Sequence, residues 1–312
     1  MRIIRDYTFL DPDARGASAA IGNFDGVHIG HQAVIDIART AGEKISAPLG
    51  VLTFDPHPRE YFARDAAPFR LMSAAAKATR LEKIGVERLY QLNFNNALAA
   101  LTPEDFATRV IHEGLGLRHV VVGSDFCFGK GRAGKASDLK NFGAKLGFGV
   151  TIAELIEGAQ GQVSSTRIRE ALSAGKPRDA ADMLGHWHRI EGMVIGGEQR
   201  GRELGYPTAN MSIDGLHPPR FGVYAVLADV QDGPHKGRYH GVASMGVRPM
   251  FGENRPNLET FLFDFSGDLY GSTLSIALVE YLRGEEKFDG LDALITQMDA
   301  DSLQSRSILA AL

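Results

Sequence analysis

Cysteine is nearly absent from this chain of 312 residues; Cys127 stands alone, which excludes an intramolecular disulfide and a cysteine-rich zinc site. Long apolar runs are missing too. No stretch reaches the roughly 18 residues of a membrane span, and Met1-Arg2-Ile3-Ile4-Arg5-Asp6 lacks the apolar core of a signal peptide. A cytoplasmic protein without a membrane partner is the expectation. Basic excess is also lacking: 34 Lys and Arg face 38 Asp and Glu, a net charge of -4, so no nucleic-acid partner is expected. Repeats and low-complexity linkers are not found. Apolar residues, in contrast, make up 44% of the chain, enough for a core in each of about two domains.

The first half alternates short apolar runs with amphipathic segments. Strands are expected at Ala19–Asn23, Leu49–Phe54, Arg88–Asn93, His119–Gly123 and Gly149–Glu154. Helices are expected at Gly30–Ala41, Ala74–Ile84, Pro103–Glu113, Ser137–Leu146 and Thr166–Ala174. Such alternation predicts a parallel sheet covered by helices, with ligands beyond the carboxyl ends of the strands. After about Leu184 the texture changes. Val194–Ile195, Val223–Asp229, Tyr239–Ser244, Glu259–Phe265 and Leu274–Tyr281 read as strands separated by Gly, Pro, Asn and Asp clusters. Consecutive strands with turn punctuation predict an antiparallel sheet closing into a small barrel. Leu291–Leu312 returns to helical spacing. The boundary is expected near Gly185, giving domains 1–184 and 185–312.

Ile21-Gly22-Asn23-Phe24-Asp25-Gly26-Val27-His28-Ile29-Gly30-His31 reads as a strand end, a glycine turn and a helix start. Gly22 and Gly30 let backbone approach a phosphate, the helix start offers free N–H groups, and His28 and His31 add donors three residues apart. Two structural histidines capping the turn are the bland alternative. A zinc site is weaker, because no third Cys or His stands nearby at ligand spacing. Asn23 and Asp25 shape the loop, or Asp25 contacts ribose or metal. A second piece is Val163-Ser164-Ser165-Thr166-Arg167-Ile168-Arg169, where Ser or Thr caps a helix and Arg169 follows in its first turn. Ser165, Thr166 and Arg169 suit a pyrophosphate, although alone the segment reads as an ordinary capped helix.

The second half holds Gly201-Arg202-Glu203-Leu204-Gly205-Tyr206-Pro207-Thr208-Ala209-Asn210. Gly201 and Gly205 permit a tight loop, and Thr208 and Asn210 point to one side of an extended segment. A hydroxyl and an amide oxygen there can hold Mg²⁺, with ATP phosphates completing the shell. On composition alone, a solvated glycine-rich hairpin is the simpler reading. Glu259 begins an otherwise apolar strand and is therefore either a base or an edge charge facing water.

These segments together resemble the prokaryotic bifunctional riboflavin kinase/FAD synthetase family, nearly end to end. GNFDGVHIGH resembles its HxGH-type nucleotidyltransferase signature and SSTRIR its second phosphate motif; TFDPHP and VGSDFCFGKGRAG are further family segments. GRELGYPTAN is similar to the kinase motif that usually carries Phe at the Tyr206 place, and LETFLFDF to the strand bearing its carboxylate. The resemblance implies a Rossmann-like nucleotidyltransferase domain, then a six-stranded antiparallel barrel with a terminal helix. It implies ATP as co-substrate, FMN and FAD as substrate and product, riboflavin as the first acceptor, and Mg²⁺. His28 and His31 then serve the ATP phosphates and transition state, and Ser165, Thr166 and Arg169 the triphosphate. Thr208 and Asn210 serve Mg-ATP, Glu259 acts as base for the 5′-hydroxyl, and Arg283 contacts flavin or phosphate. His57 falls near the flavin or its phosphate, though as a residue between two prolines it reads equally as a structural loop histidine. Asp125 stands where some relatives carry Asn facing flavin or nucleotide. Phe126 and Phe128 either stack on isoalloxazine or fill the core, and the core is the expectation. Ser244 and Val247 depart from the family's usual Asn and Thr, which makes adenylyl transfer alone one rival; a flavin-binding regulator is another, against which the presence of both His28–His31 and Glu259 argues.

Overall fold

The computed structural model describes residues 1–63, 65–154, 157–158, 161–196, 205–250 and 253–312. By contacts it forms two compact units: Met1–Ala66 with Lys77–Val163, and Ala67–Ala76 with Ser164–Leu312.

The first unit is Rossmann-like. Its strands are β1 (Arg2–Ile4), β2 (Ser18–Ile21), β3 (Leu49–Asp55), β4 (Arg88–Asn93), β5 (His119–Gly123) and β6 (Gly149–Ala153). All pair in parallel in the order β1-β4-β3-β2-β5-β6. Five of these strands are legible as apolar runs; β1 is not, because at three residues it is too short to show a period. β2 lies between β3 and β5, so the chain winds outward from it in both directions. Its carboxyl end is the topological switch point, where ligands of such sheets bind.

Helix α1 (Ile29–Lys44) packs Ile35, Ala38 and Gly42 toward the sheet and turns polar side chains outward. Complete burial of a side chain such as Ile35 contributes about 1.5–3 kcal/mol. Helix α2 is short (Pro58–Phe62), and α3 spans Ala74–Lys83. The segment expected as one helix at Pro103–Glu113 begins as α4 (Pro103–Asp105), capped by the Thr102 hydroxyl, and continues as a wider π-helix over Phe106–Gly114. Helix α5 is Ala136–Leu146. Phe126 and Phe128 stack at 5.6 Å; Phe128 belongs to the core and Phe126 packs against it, as expected.

In the second unit, α6 (Ser165–Ser173) and α7 (Pro177–Leu184) bury Ile168, Leu172, Ala180 and Leu184 around Leu71. The strands that follow are β7 (Arg189–Met193), β8 (Thr208–Ser212), β9 (Gly222–Val230), β10 (Gly237–Met250), β11 (Glu253–Leu262) and β12 (Thr273–Arg283). They form an antiparallel sheet in the order β7-β12-β9-β10-β11-β8. A single bridge between Ile195 and Asn210 brings its two edges together, so the barrel is nearly closed. The strand expected at Val194–Ile195 lies just upstream, at Arg189–Met193. Arg189 and Glu191 interrupt its apolar pattern, and both are satisfied at the sheet: Arg189 on Asp229 and Glu191 by the Ser275 hydroxyl. Ala209, Met211, Ala243, Met245 and Leu258 fill the interior with Val226, Ile276 and Leu278. The terminal helix α8 (Leu291–Ala310) packs Leu309 on Ala225, Phe263 and Val279 outside the barrel.

Candidate active sites

The carboxyl edge of the parallel sheet gathers several of the predicted residues. Gly22, Asn23 and Asp25 follow β2, His57 follows β3, and Asp125 follows β5. The turn after β2 is strained: Phe24 sits at φ 50°, Gly26 at 87° and Val27 at 45°. Positive φ is costly for a bulky or β-branched residue, of order 1–3 kcal/mol, and such strain clusters at functional sites. The turn is held from beneath. Thr53 Oγ1 donates to the Asn23 carbonyl at 3.1 Å, and Lys77 Nζ donates to the same oxygen at 2.9 Å. Asp25 is buried, at 5% exposure.

His28 caps α1. Its Nδ1 accepts the His31 backbone N–H at 3.3 Å, so the neutral ring carries its proton on Nε2 and keeps a donor there. The His28 and His31 rings stack at 3.6 Å and 17°, with Phe24 edge-on to His31. Gly30 makes room for this arrangement: a Cβ there would lie 3.2 Å from the His28 ring. Burial pushes His28 down to about 4. His31 is held well below its ordinary value, first by burial, then by His28 and Lys77. Both rings are therefore neutral near pH 7 and present ring N–H groups, not cations. His31 Nδ1 is buried without a partner among the described residues, a polar atom left for a ligand.

His57 caps α2 by accepting the Arg59 N–H at 3.0 Å. Asp125 is exposed at the sheet edge. Gly22 precedes the strained turn, and its open side faces the Phe24 ring. In the second unit, Ser164 caps α6 by accepting the Arg167 N–H at 3.3 Å, so Ser165 and Thr166 open the helix. Arg169 Nε donates to the Phe69 carbonyl at 2.5 Å, and its guanidinium lies 5.2 Å from the Phe69 ring.

On the barrel, β8 and β11 pair Asn210 with Glu259, and β10 pairs Ser244 with Glu259 from the other side. The side-chain period of two places Thr208, Asn210, Glu259 and Ser244 together on the outer face, opposite the apolar filling. Glu259 thus lies inside a paired strand rather than at its start, with a strand on each side. The Asn210 carbonyl accepts the Ile195 N–H at 2.9 Å, which fixes its backbone from the closing edge. Gly205 takes φ 80°, a left-handed turn before Tyr206, and Tyr206 packs on Phe261 and bonds Asp299. Gly201 lies outside the described residues. Arg283 is held bidentately by Asp301, with Nη2 to Oδ2 at 2.7 Å and Nε to Oδ1 at 3.0 Å, and its Nη1 donates to the Gly284 carbonyl.

Two residues of these sites escaped the sequence reading. Asn257 is 2% exposed, donates to Glu259 Oε1 at 3.3 Å and leaves its own Oδ1 buried without a partner among the described residues. Its signal is parity, two residues before Glu259 on the same face. Lys77 is 8% exposed, in the stripe of α3 that also buries Ala78 and Leu81. A lysine inside an apolar helical stripe is the signal that could have found it.

A unit with a parallel sheet and donors massed at its switch point, and a second unit whose barrel carries a hydroxyl, an amide and a carboxylate on one face, define a two-unit phosphate-handling transferase. The family model described as FAD synthetase matches residues 10–167, and that described as Riboflavin kinase matches residues 184–309. The chain belongs to the bifunctional riboflavin kinase/FMN adenylyltransferase family. The relative of that name from Pseudomonas fluorescens is 40% identical over 99% of this chain and 98% of its own length. Those from Bacillus subtilis (strain 168) and Escherichia coli (strain K12) are 37% and 35% identical, each over 98% of this chain and 96% and 97% of their own. A crystal structure called Macrolide-efflux Protein from Streptococcus pneumoniae superposes with a TM-score of 0.83 at 32% identity, over 97% of this chain and 98% of that one. Among the described residues, no helix is long and apolar enough to cross a membrane. The chain is an enzyme that acts on riboflavin, FMN and ATP, phosphorylating riboflavin to FMN and adenylylating FMN to FAD.

Proposed function

We propose that the two reactions are divided between the histidine turn and the outer barrel face, in domains 1–184 and 185–312 of a cytoplasmic enzyme. The observation that carries this reading is the register that sets Asn210 and Glu259 opposite one another on adjacent strands. At the histidine turn, an FMN phosphate oxygen attacks the α-phosphorus of ATP, the α–β bridging bond breaks, and pyrophosphate leaves. The nucleophile is already anionic, so no base is needed; the work is alignment and charge stabilisation. His28 Nε2–H and the His31 ring donate to phosphate oxygens at the start of α1. Gly22, Asn23 and Asp25 shape the turn, with His57 and Asp125 on the flavin side. Ser165, Thr166 and Arg169 take triphosphate oxygens at the start of α6.

At the barrel, the riboflavin 5′-oxygen attacks the γ-phosphorus, its proton passes to Glu259, and ADP leaves. A neutral hydroxyl is a poor nucleophile, so a positioned carboxylate is useful here. Asn257 orients Glu259, and Gly201 and Gly205 shape the loop along the phosphates. Arg283, fixed by Asp301, contacts flavin or phosphate. Thr208 and Asn210 fit Mg²⁺. Their oxygens are hard donors on one face, and among the described residues no cluster of three His, Cys, Asp or Glu offers an all-protein cage. Bound there together with ATP, the ion would neutralise phosphate charge. His28→Ala should abolish FAD formation from FMN and leave riboflavin phosphorylation intact, with Glu259→Ala doing the reverse. Loss of both activities in either folded variant would refute separate sites. A chromatographic time course on riboflavin and ATP adds the sequence: FMN, then FAD. Unchanged riboflavin beside active FMN adenylylation would select the single-activity rival raised by Ser244 and Val247.

A further inference from the structure

On the barrel face that carries Glu259, one buried side chain has only half its bonding capacity in use. Asn257 is 2% exposed, and the two ends of its carboxamide have opposite needs. Nδ2 donates to Glu259 Oε1 at 3.3 Å, while Oδ1 is buried without a partner among the described residues. The amide cannot relieve this by turning over. A carboxylate only accepts, so Nδ2 must face Glu259 and Oδ1 must face away from it. Nor do the neighbours on this face supply a donor. Opposite Asn257 on β10 stands Gly246, which has no side chain, and a Cβ there would run into the Glu285 carboxylate, another acceptor. Opposite it on β8 stands Ser212, whose hydroxyl accepts the Asp214 N–H at 3.1 Å. A buried acceptor left bare in this way is costly until a donor reaches it.

That donor has a defined place. A carboxamide is one group wide, so whatever donates to Oδ1 sits beside whatever gives its proton to Glu259. Riboflavin meets this demand with a single chain, because the carbon next to its reactive 5′ position carries a second hydroxyl. The phosphates of ATP do not meet it, since their oxygens only accept.

We propose that Asn257 is a specificity-determining residue of riboflavin phosphorylation, whose Oδ1 accepts the 4′-hydroxyl of the vitamin while Nδ2 holds Glu259 toward the 5′-hydroxyl. This rests on the assignment of phosphoryl transfer to the Glu259 face. The probe is 4′-deoxyriboflavin, which keeps the reacting hydroxyl and lacks its neighbour. The parent enzyme should phosphorylate it with kcat/KM lower by about tenfold to a hundredfold, because Oδ1 then stays bare. Asn257→Leu removes acceptor and donor at nearly constant volume. It should slow the reaction of riboflavin itself and treat the two flavins nearly alike. Asn257→Asp keeps an acceptor for the 4′-hydroxyl and loses the donor to Glu259, so kcat should fall while the preference for riboflavin persists. A purely structural role would lower activity on both flavins by the same factor in each variant and leave their ratio untouched, which would overturn the proposal. Equal use of the two flavins by the parent enzyme would also overturn it. So would a raised Mg²⁺ requirement in Asn257→Leu at an unchanged flavin ratio, since that would put Oδ1 on the ion. Trp187 emission and the urea midpoint report on folding of the barrel in every variant. Should Asn257→Leu fail to fold, Asn257→Ala decides by the same ratio. Glu259→Ala run in parallel separates the two claims. If it leaves phosphorylation intact, the site assignment fails; if it abolishes phosphorylation while the parent treats both flavins alike, only the role of Asn257 fails.

Discussion

Removing Asp301 tests how the terminal helix is tied to the barrel. Asp301 and Arg283 are 5% and 17% exposed at their side chains, and the carboxylate also accepts Gln297 Nε2 at 2.9 Å. Asp301→Ala leaves the guanidinium largely buried with Nε and Nη2 deprived of their acceptor. Breaking such a pair from one side costs about 3–5 kcal/mol; the residual exposure of Arg283 lets water reach it, which places the loss at roughly 3 kcal/mol. Asp301→Asn keeps the shape and one acceptor and should cost roughly half as much. Urea unfolding followed by the fluorescence of Trp187 reads this directly. Trp187 is the only tryptophan and packs against the cluster formed by Ala225, Phe263, Val279 and Leu309. Adding Arg283→Met to Asp301→Ala should return much of the stability, because the unpaired charge goes with it. A loss under about 1 kcal/mol, the level of an exposed ion pair, or an absence of coupling in the double variant would refute the reasoning.

Gly30→Ala should separate stability from activity. Alanine favours a helical position by up to about 1 kcal/mol, which offsets the loss of the His28 cap on the His31 N–H, so melting should hold, while the new Cβ displaces the His28 ring and lowers FAD formation by about ten- to a hundredfold without affecting riboflavin phosphorylation. Stability should fall on acidification. Burial holds His28 and His188 at about 4 against an ordinary 6.5, so the unfolded chain takes up protons first and stability present above pH 6.5 is lost progressively toward pH 4. Each histidine accounts for on the order of 3 kcal/mol, and denaturant midpoints measured from pH 7 to 4.5 would contradict this if they rose.

Much of this was legible in the chain, for reasons that differ by element. The parallel strands are apolar runs bounded by glycine turns, and the histidine segment announces a strand, a turn and a helix start in order. Glu259 was visible as a carboxylate in apolar company, but its neighbours were not. Which residues face it depends on register with β8 and β10, a property of pairing across tens of residues. Asn257 was hidden for the same reason. Lys77 was hidden because its partners, Asn23 and Thr53, arrive from two other elements. β7 was missed because Arg189 and Glu191 break its apolar pattern, and only the fold reveals their partners.

The short stretch 67–76 belongs, by its contacts, with residues nearly a hundred positions downstream. Leu71 closes the apolar nest of Ile168, Leu172, Ala180 and Leu184, and its carbonyl meets the buried His188 ring at 2.9 Å. No single scission of the polypeptide can therefore free the phosphorylating half intact. A fragment started at 164 or 185 would arrive without its strap, exposing greasy side chains and orphaning an imidazole. Fission of the gene into two working enzymes would have to duplicate or replace that stretch.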